Sequence, residues 1–469
     1  MTKYKLVMDR ILTLVQNGTL QDGARIPSIR KMSDQMRIST MTVLEAYRRL
    51  EAQGIIESQP QSGYYLQPAA VREKVTLAYL PEVEPKQISL YTKAVEIPDI
   101  VQQILDMANR SNTVSLGAGL PHPSFFPSRE LGLRLAKVAR SQPETINSYC
   151  TGSGHPLLIN EINKWMVNLG CTLFSEEVVV TAGATQAILL ALRAITKPGD
   201  TVAVESPGYP GFYALLQYLH LNAVEIPVDP HSGFSNTAFE QAIADGLNIS
   251  CVLLSPSFSN PTGAVMSDSF RFKLVDLCST NNITIIEDDS YGELSFNKQR
   301  PFPLKSISSE VVYIGSMSKI LAPGYRIAWI AGGRYCRDII RLHEVSVMSV
   351  PVAMQLTIAS YLSDGGIKRH LKNLCSIYAH QVKLFQSEIA GVFPDGTCSS
   401  NPKGGHFLWI SLPVGYDSLE LAKSAVQKGI SIAPGVLFTS RHYYKEYLRL
   451  NCAIPWTYEL RQAIRDLGN

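Results

Sequence analysis

Chemistry is concentrated at Ser316-Met317-Ser318-Lys319, with Ala322-Pro323-Gly324-Tyr325-Arg326 close behind. A lysine beside two hydroxyls, after the apolar run Val311-Val312-Tyr313-Ile314, has the parts for a Schiff base beside a bound phosphate. Lys319 supplies the amine, while Ser316, Ser318 and Arg326 supply donors and charge for the phosphate. A lone lysine after a strand is usually just a solvated side chain. The reading therefore depends on whether other segments deliver complementary groups.

Four do. Val178-Val179-Val180 runs into Thr181-Ala182-Gly183-Ala184-Thr185, where Ala184 and Thr185 open a helix whose free N–H groups and dipole suit a phosphate. Thr201-Val202-Ala203-Val204 leads to Glu205-Ser206-Pro207-Gly208-Tyr209, and Tyr209 can stack on a flat ring. Cys251-Val252-Leu253-Leu254 precedes a turn holding Asn260-Pro261-Thr262-Gly263, and Ile283-Thr284-Ile285-Ile286 precedes Glu287-Asp288-Asp289-Ser290-Tyr291. Asn260 and Tyr291 could bind a phenolic ring oxygen. Asp288 could keep a pyridinium nitrogen protonated, the condition for an electron sink.

These motifs need a scaffold that brings them together. Short β-rich runs alternate with helical segments such as Ala187–Ile195 and Phe270–Thr280, which predicts an α/β fold with a mostly parallel sheet. Such sheets bind ligands beyond the carboxyl ends of their strands, so five strand ends converge on one cleft. Gly117-Ala118-Gly119 and Gly152-Ser153-Gly154 lack the strand and spacing of a dinucleotide fingerprint, which disfavours NAD.

The chain has 469 residues, enough for two or three units. Charge interrupts its start, where a signal peptide would be apolar, and no charge-free apolar run is long enough to span a membrane. A cytoplasmic location is expected. The eight cysteines show no CxxC spacing and read as reduced core thiols; the nine histidines show no metal-ligand spacing, so no metal site is expected. Residues 1–70 carry nine Lys/Arg against six Asp/Glu, which accounts for the whole net charge of +3.

That segment has its own pattern. Apolar residues at 7, 11, 14 and 15 mark one face of a helix over Tyr4–Val15, ended by Asn17-Gly18. Pro27-Ser28 starts a second helix with Ile29, Met32 and Met36 inward and Arg30 and Lys31 outward. The turn Arg37-Ile38-Ser39 leads to a third helix, Thr40–Gln53, capped by Gly54. Two helices joined by such a turn present the second to a major groove. The candidate DNA contacts are Arg30, Lys31, Ser39, Thr40, Met41 and Thr42, with Arg48 and Arg49 on the phosphates. Ile55–Ser58 and Gly63–Leu66 predict a hairpin wing. The division expected is a DNA-binding domain at 1–68, a linker at 69–97 with a short helix near Ile100–Asn109 beyond it, and a large domain at 98–469.

The quoted residues of the first domain resemble the winged helix-turn-helix of GntR-type bacterial regulators, with two departures. Thr40 stands where arginine is frequent, and Gln61 stands where the wing usually has its first glycine. Residues 98–469 resemble the fold-type I pyridoxal-phosphate enzymes of the aspartate aminotransferase class, through Asn260-Pro261-Thr262-Gly263, Asp288–Tyr291 and Ser316–Arg326. One departure is Ile159, in a segment where an arginine is usual. The combination resembles the MocR subfamily of regulators.

The resemblance implies pyridoxal 5'-phosphate as cofactor, Lys319 as its Schiff-base lysine, and Arg449 as the group pairing with a ligand carboxylate. It also implies that Tyr149 reaches the phosphate of the other subunit in a head-to-tail homodimer whose DNA-binding domains are swapped. Function would then be transcription control, with an amino compound entering as an external aldimine and altering affinity for double-stranded DNA. The alternative is an amino acid aminotransferase with an accessory N-terminal module.

Overall fold

The structure, a computed structural model, describes residues 3–16, 19–21, 23–52, 55–59, 62–67, 77–81, 90–95, 113–171, 173, 175–297, 299–441 and 443–468. The Asn17-Gly18 stop, the Gly54 cap, Gln61, most of the 69–97 linker and the helix expected near Ile100–Asn109 lie outside them. Packing divides the chain into two units. One is Met1–Ala78 with His380–Ser399 and Pro455–Asn469; the other is Tyr79–Ala379 with Ser400–Ile454.

In the first unit three helices, α1 (Lys3–Gln16), α2 (Ile29–Met36) and α3 (Thr40–Ala52), precede the strands β1 (Ile56–Gln59) and β2 (Gly63–Leu66). Ser28 caps α2 by accepting from the Lys31 N–H, and Arg37, at φ 50°, turns the chain out of it. The strands pair antiparallel, with Ile56 opposite Leu66. The spaced apolar positions meet in one core of Val7, Ile11, Met32, Val43, Tyr47, Leu50, Ile56 and Leu66. The Tyr47 hydroxyl reaches the Pro27 carbonyl at 2.6 Å, tying α3 to the start of α2.

The second unit is built on a sheet whose main strands are β3 (Val178–Thr181), β4 (Thr201–Ser206), β5 (Asn222–Asp229), β6 (Ile249–Leu254), β7 (Thr284–Asp288), β8 (Val312–Ser316) and β9 (Ala328–Ala331). Their order is β5-β4-β6-β7-β8-β9-β3. All the pairings from β5 to β8 are parallel, and β9 is antiparallel to both β8 and β3. The five expected strands therefore run in one direction, and β9 alone among these seven is reversed.

Alternation decides which face each residue covers. On β6, Cys251 and Leu253 join the cluster that includes Ile188 and Leu192 of helix α4 (Ala184–Ile195). Val252 and Leu254 join the opposite cluster, with Leu274 and Cys278 of α5 (Asp268–Thr280). Lys93-Ala94, within the expected linker, pairs antiparallel with the outer edge of β5. A smaller antiparallel set, β10 (Phe407–Ser411), β11 (Ala433–Pro434) and β12 (Tyr447–Asn451), places Arg449 opposite Trp409. No helix among the described residues is long and apolar enough to cross a membrane.

Candidate cofactor and ligand site

Asp288 and Ser316 are the last residues of β7 and β8, which run two residues beyond the apolar runs that predicted them. Parallel strands put both at the same sheet edge as the end of β3, where Gly183 leads into α4. No side chain caps α4, so the first N–H groups of Ala184 and Thr185 are left for a ligand. Gly183 has φ 99°, and a Cβ there would lie 2.6 Å from Cζ of Arg326. Only glycine lets that guanidinium come so near the helix start. Arg326 itself, at φ 53°, points Nη1 to Oγ of Ser318 at 3.3 Å and Nη2 to the Ala182 carbonyl at 3.3 Å. Ser316 Oγ accepts from the Ser318 N–H at 3.2 Å. The result is a cradle of two serines, an arginine and a helix N-terminus.

Lys319 donates from Nζ to the Gly119 carbonyl at 2.7 Å. Burial pulls its pKa down to about 8 and the nearby Arg449 charge adds to this, while Asp288 opposes. A larger share of the amine is thus neutral and nucleophilic near neutral pH. Asp288 accepts from the Ser290 N–H at 3.1 Å and hydroxyl at 2.5 Å. Burial nevertheless raises its pKa to about 6, against the lowering effect of those bonds and of Lys319.

Arg449 is buried among aromatics, its guanidinium 4.5 Å from the Phe407 ring centre and 5.1 Å from that of Phe438. It donates to Oδ1 of Asn260 at 2.8 Å and to the Gly117 carbonyl, and its Nε has no partner. No carboxylate is among the hydrogen-bond partners of this buried cation, and burial brings its pKa down to about 10. A buried arginine with neutral acceptors and a spare donor suits an incoming carboxylate. Tyr209 is held near Asp288, Arg449 and Arg326, and burial pushes its hydroxyl pKa up. Burial likewise pushes that of Tyr291 up, with Tyr209 and Asp288 adding to it.

Two residues of the cleft were not anticipated. His406 is fully buried, with ring centres 5.7 Å from Tyr291 and 4.2 Å from Phe407. Burial holds its imidazole neutral, and Lys319 and Arg449 reinforce this. Its place directly after Gly404-Gly405 was the available signal. Glu205, buried near the end of β4, accepts from the Ser255 N–H at 3.0 Å, and burial raises its pKa to about 8. Tyr149 is not brought into the cluster: it is 79% exposed.

The candidate DNA contacts lie in the other unit. Ser39, Thr40 and Met41 are exposed at the start of α3, Met41 by 71%, as are Arg30 and Lys31 on α2. Thr42 Oγ1 is 2.8 Å from Ser39 Oγ. Arg48 and Arg49 are both exposed. Arg49 is occupied by Glu45 at 2.7 Å and lies over the Tyr4 ring at 4.1 Å.

The second-unit cluster fits pyridoxal 5'-phosphate. The glycine-only start of α4 beside Arg326 matches a phosphate, and the buried, partly neutralised Lys319 matches an aldehyde. Asp288, the buried acid within electrostatic reach of that lysine, matches a ring nitrogen.

Residues 114–467 match the profile of the class I and II aminotransferases, and residues 3–66 that of the gntR family of bacterial regulatory proteins. The chain belongs to the class I and II aminotransferases, with a gntR-type domain ahead. It is 31% identical to the uncharacterized HTH-type transcriptional regulator YjiR of Escherichia coli (strain K12) over 471 residues, spanning 100% of this chain and 98% of that protein. It is also 30% identical to aromatic-amino-acid aminotransferase 1 of Thermococcus litoralis over 407 residues, 84% of this chain and 95% of that enzyme. Among solved structures it resembles the multiple substrate aminotransferase of Thermococcus profundus, with TM-score 0.74, 27% identity, and coverage of 80% of this chain and 94% of that one. The architecture is MocR-like: a winged helix-turn-helix joined to a fold-type I domain. Pyridoxal 5'-phosphate is the cofactor of this family and of this chain.

Proposed function

We propose that this is a transcription regulator of the MocR subfamily in which a carboxylate-bearing amine, an amino acid or a close analogue, binds at the cofactor and changes affinity for double-stranded DNA. The observation that carries this reading is buried Arg449, with its free Nε, in the same cleft as Lys319 and in a chain that starts with a gntR-type domain. When bound, the cofactor supplies an aldehyde that condenses with primary amines and a ring that withdraws electrons.

The chain's own residues have separable tasks in this reading. Ala184, Thr185, Ser316, Ser318 and Arg326 hold the phosphate, and Tyr149 of a second subunit completes that hold. Asp288 keeps a proton at the ring nitrogen, Asn260 and Tyr291 meet the ring oxygen, and Tyr209 covers a ring face. Lys319 is the amine that the ligand replaces. Arg449 orients the ligand by its carboxylate. Arg30, Lys31, Ser39, Thr40, Met41, Thr42, Arg48 and Arg49 face DNA. The working form is a cytoplasmic, head-to-tail homodimer in which DNA-binding domains 1–68 exchange across linkers 69–97 between the 98–469 domains. Ligand binding regulates only if the ligand prefers one of two states that differ in DNA affinity.

A second reading, an amino acid aminotransferase, draws support from the presence of Lys319, Asp288, Tyr209, Tyr291 and Arg326 in one cleft. Footprinting on DNA upstream of the chain's own gene, with and without a panel of amino acids, separates the two. A footprint that is salt-dependent and weakened by Arg30→Ala supports the regulator. Turnover of an amino acid without any footprint supports the enzyme. The absorbance of purified protein tests the site itself, and a cofactor that borohydride reduction still fixes covalently to the Lys319→Ala protein removes Lys319 from its role.

A further inference from the structure

Helix α3 turns one face to the core and the opposite face outward. Val43, Tyr47 and Leu50 are buried in the core of the winged domain. At about 100° per residue, Met41, Glu45 and Arg48, spaced i, i+4 and i+7, form the stripe on the far side. Met41 and Arg48 are exposed and Glu45 partly so.

What this stripe can read in a base pair depends on its side chains. Arginine and lysine select guanine by paired hydrogen bonds, asparagine and glutamine select adenine, acids accept from cytosine, and apolar groups meet the thymine methyl. The run Ser39-Thr40-Met41-Thr42-Val43-Leu44-Glu45 contains none of the first four. The departure at Thr40 removes the arginine frequent there, and with it a guanine-reading group. The carboxylate of Glu45 is met by Arg49 at 2.7 Å. Ser39 Oγ accepts from the Thr42 N–H at 3.3 Å and lies 2.8 Å from Thr42 Oγ1, so these two hydroxyls serve the start of the helix. Thr40 and Met41 remain, both exposed, and offer a methyl group and an adaptable thioether chain. Arg48 stands two turns further on, about 10 Å along the axis, whereas base edges are met by the first turn of a recognition helix.

Charge sets the occupant of this face. Arg30, Lys31, Arg48 and Arg49 are exposed on α2 and α3, and cations around an apolar tip suit a polyanion with apolar groups in its groove, which is DNA. We propose that Met41, assisted by the methyl of Thr40, reads thymine methyl groups in the major groove, so that α3 selects bases by apolar contact rather than by paired hydrogen bonds to purines. This rests on the regulator reading and names the feature of DNA that α3 recognises.

The test uses the full chain and a labelled duplex carrying the footprinted sequence. Uracil put in place of one thymine at a time removes the methyl and leaves every hydrogen-bonding group of the base. At the thymines that Met41 meets, the change weakens binding about 3- to 5-fold, the scale of one buried methyl. Met41→Ala binds the unmodified duplex more weakly by a similar factor and no longer distinguishes uracil from thymine there, because both changes break the same contact. Its salt dependence is unaltered, since no phosphate contact is lost, whereas Arg48→Ala lowers the salt slope by about one and keeps the distinction.

A distinction that survives in Met41→Ala overturns the proposal. So does a footprint in which 7-deazaguanine in place of guanine weakens binding more than any uracil, which gives base selection to an arginine. Absence of any footprint refutes the regulator reading and this proposal together, while a footprint indifferent to every uracil refutes this proposal alone.

Discussion

Gly183→Ala is the smallest change that reaches the phosphate cradle without touching a proposed ligand. The residue sits at φ 99° and ψ 162°, a region in which a side chain costs about 1–3 kcal/mol. The new methyl also overlaps the end of Arg326, whose Cζ would lie 2.6 Å away. A long side chain escapes such an overlap by swinging away at little cost, so the overlap converts into displacement of the guanidinium. Loss of one charge-assisted hydrogen bond to phosphate is worth about 1.5–3 kcal/mol. The expected result is roughly 10- to 100-fold weaker cofactor binding, with a loss of about 1–3 kcal/mol of stability in the cofactor-free protein. Titration of stripped protein with pyridoxal 5'-phosphate, followed by absorbance, measures the first, and denaturant unfolding measures the second. A well-folded Gly183→Ala protein whose cofactor affinity stays within about two-fold of the original would refute the assignment of Arg326 and Gly183 to the phosphate site.

Two further changes address other parts of the cleft. Glu205 has its folded pKa raised from 4.5 to about 8, so the folded protein retains a proton that the unfolded chain releases. Stability therefore falls as pH rises between those values, by at most about 5 kcal/mol for this group. Glu205→Gln should flatten that decline, and unfolding midpoints measured from pH 5 to 8 that still fall as steeply contradict it. Arg449→Met retains the volume beside Phe407 and Phe438 but removes the buried charge. It should leave cofactor binding nearly intact and abolish the spectral response to amino acids while preserving that to simple amines. Equal loss of both responses would make Arg449 structural.

The sequence by itself determined the local elements and the identity of most cleft residues. The α2 and α3 helices were legible because apolar spacing and a capping serine act within a few residues, and Ser28, Met32, Val43 and Tyr47 take the places that spacing assigns. Five strand ends were legible because fully buried parallel strands are short apolar runs, each stopping where a polar motif begins. Tertiary structure decided what depends on contacts between distant segments. The reversed strand β9 between β8 and β3 carries no directional mark in its residues. Lys319 reaches the carbonyl of Gly119, and Arg449 reaches Asn260, across some two hundred residues of chain. His406 becomes part of the cleft only because the chain entering β10 brings it beside Tyr291, 5.7 Å away between ring centres. The Glu57–Arg461 pair joins residues from opposite ends of the sequence, and no local pattern announces it, since electrostatic partners are set by proximity in space.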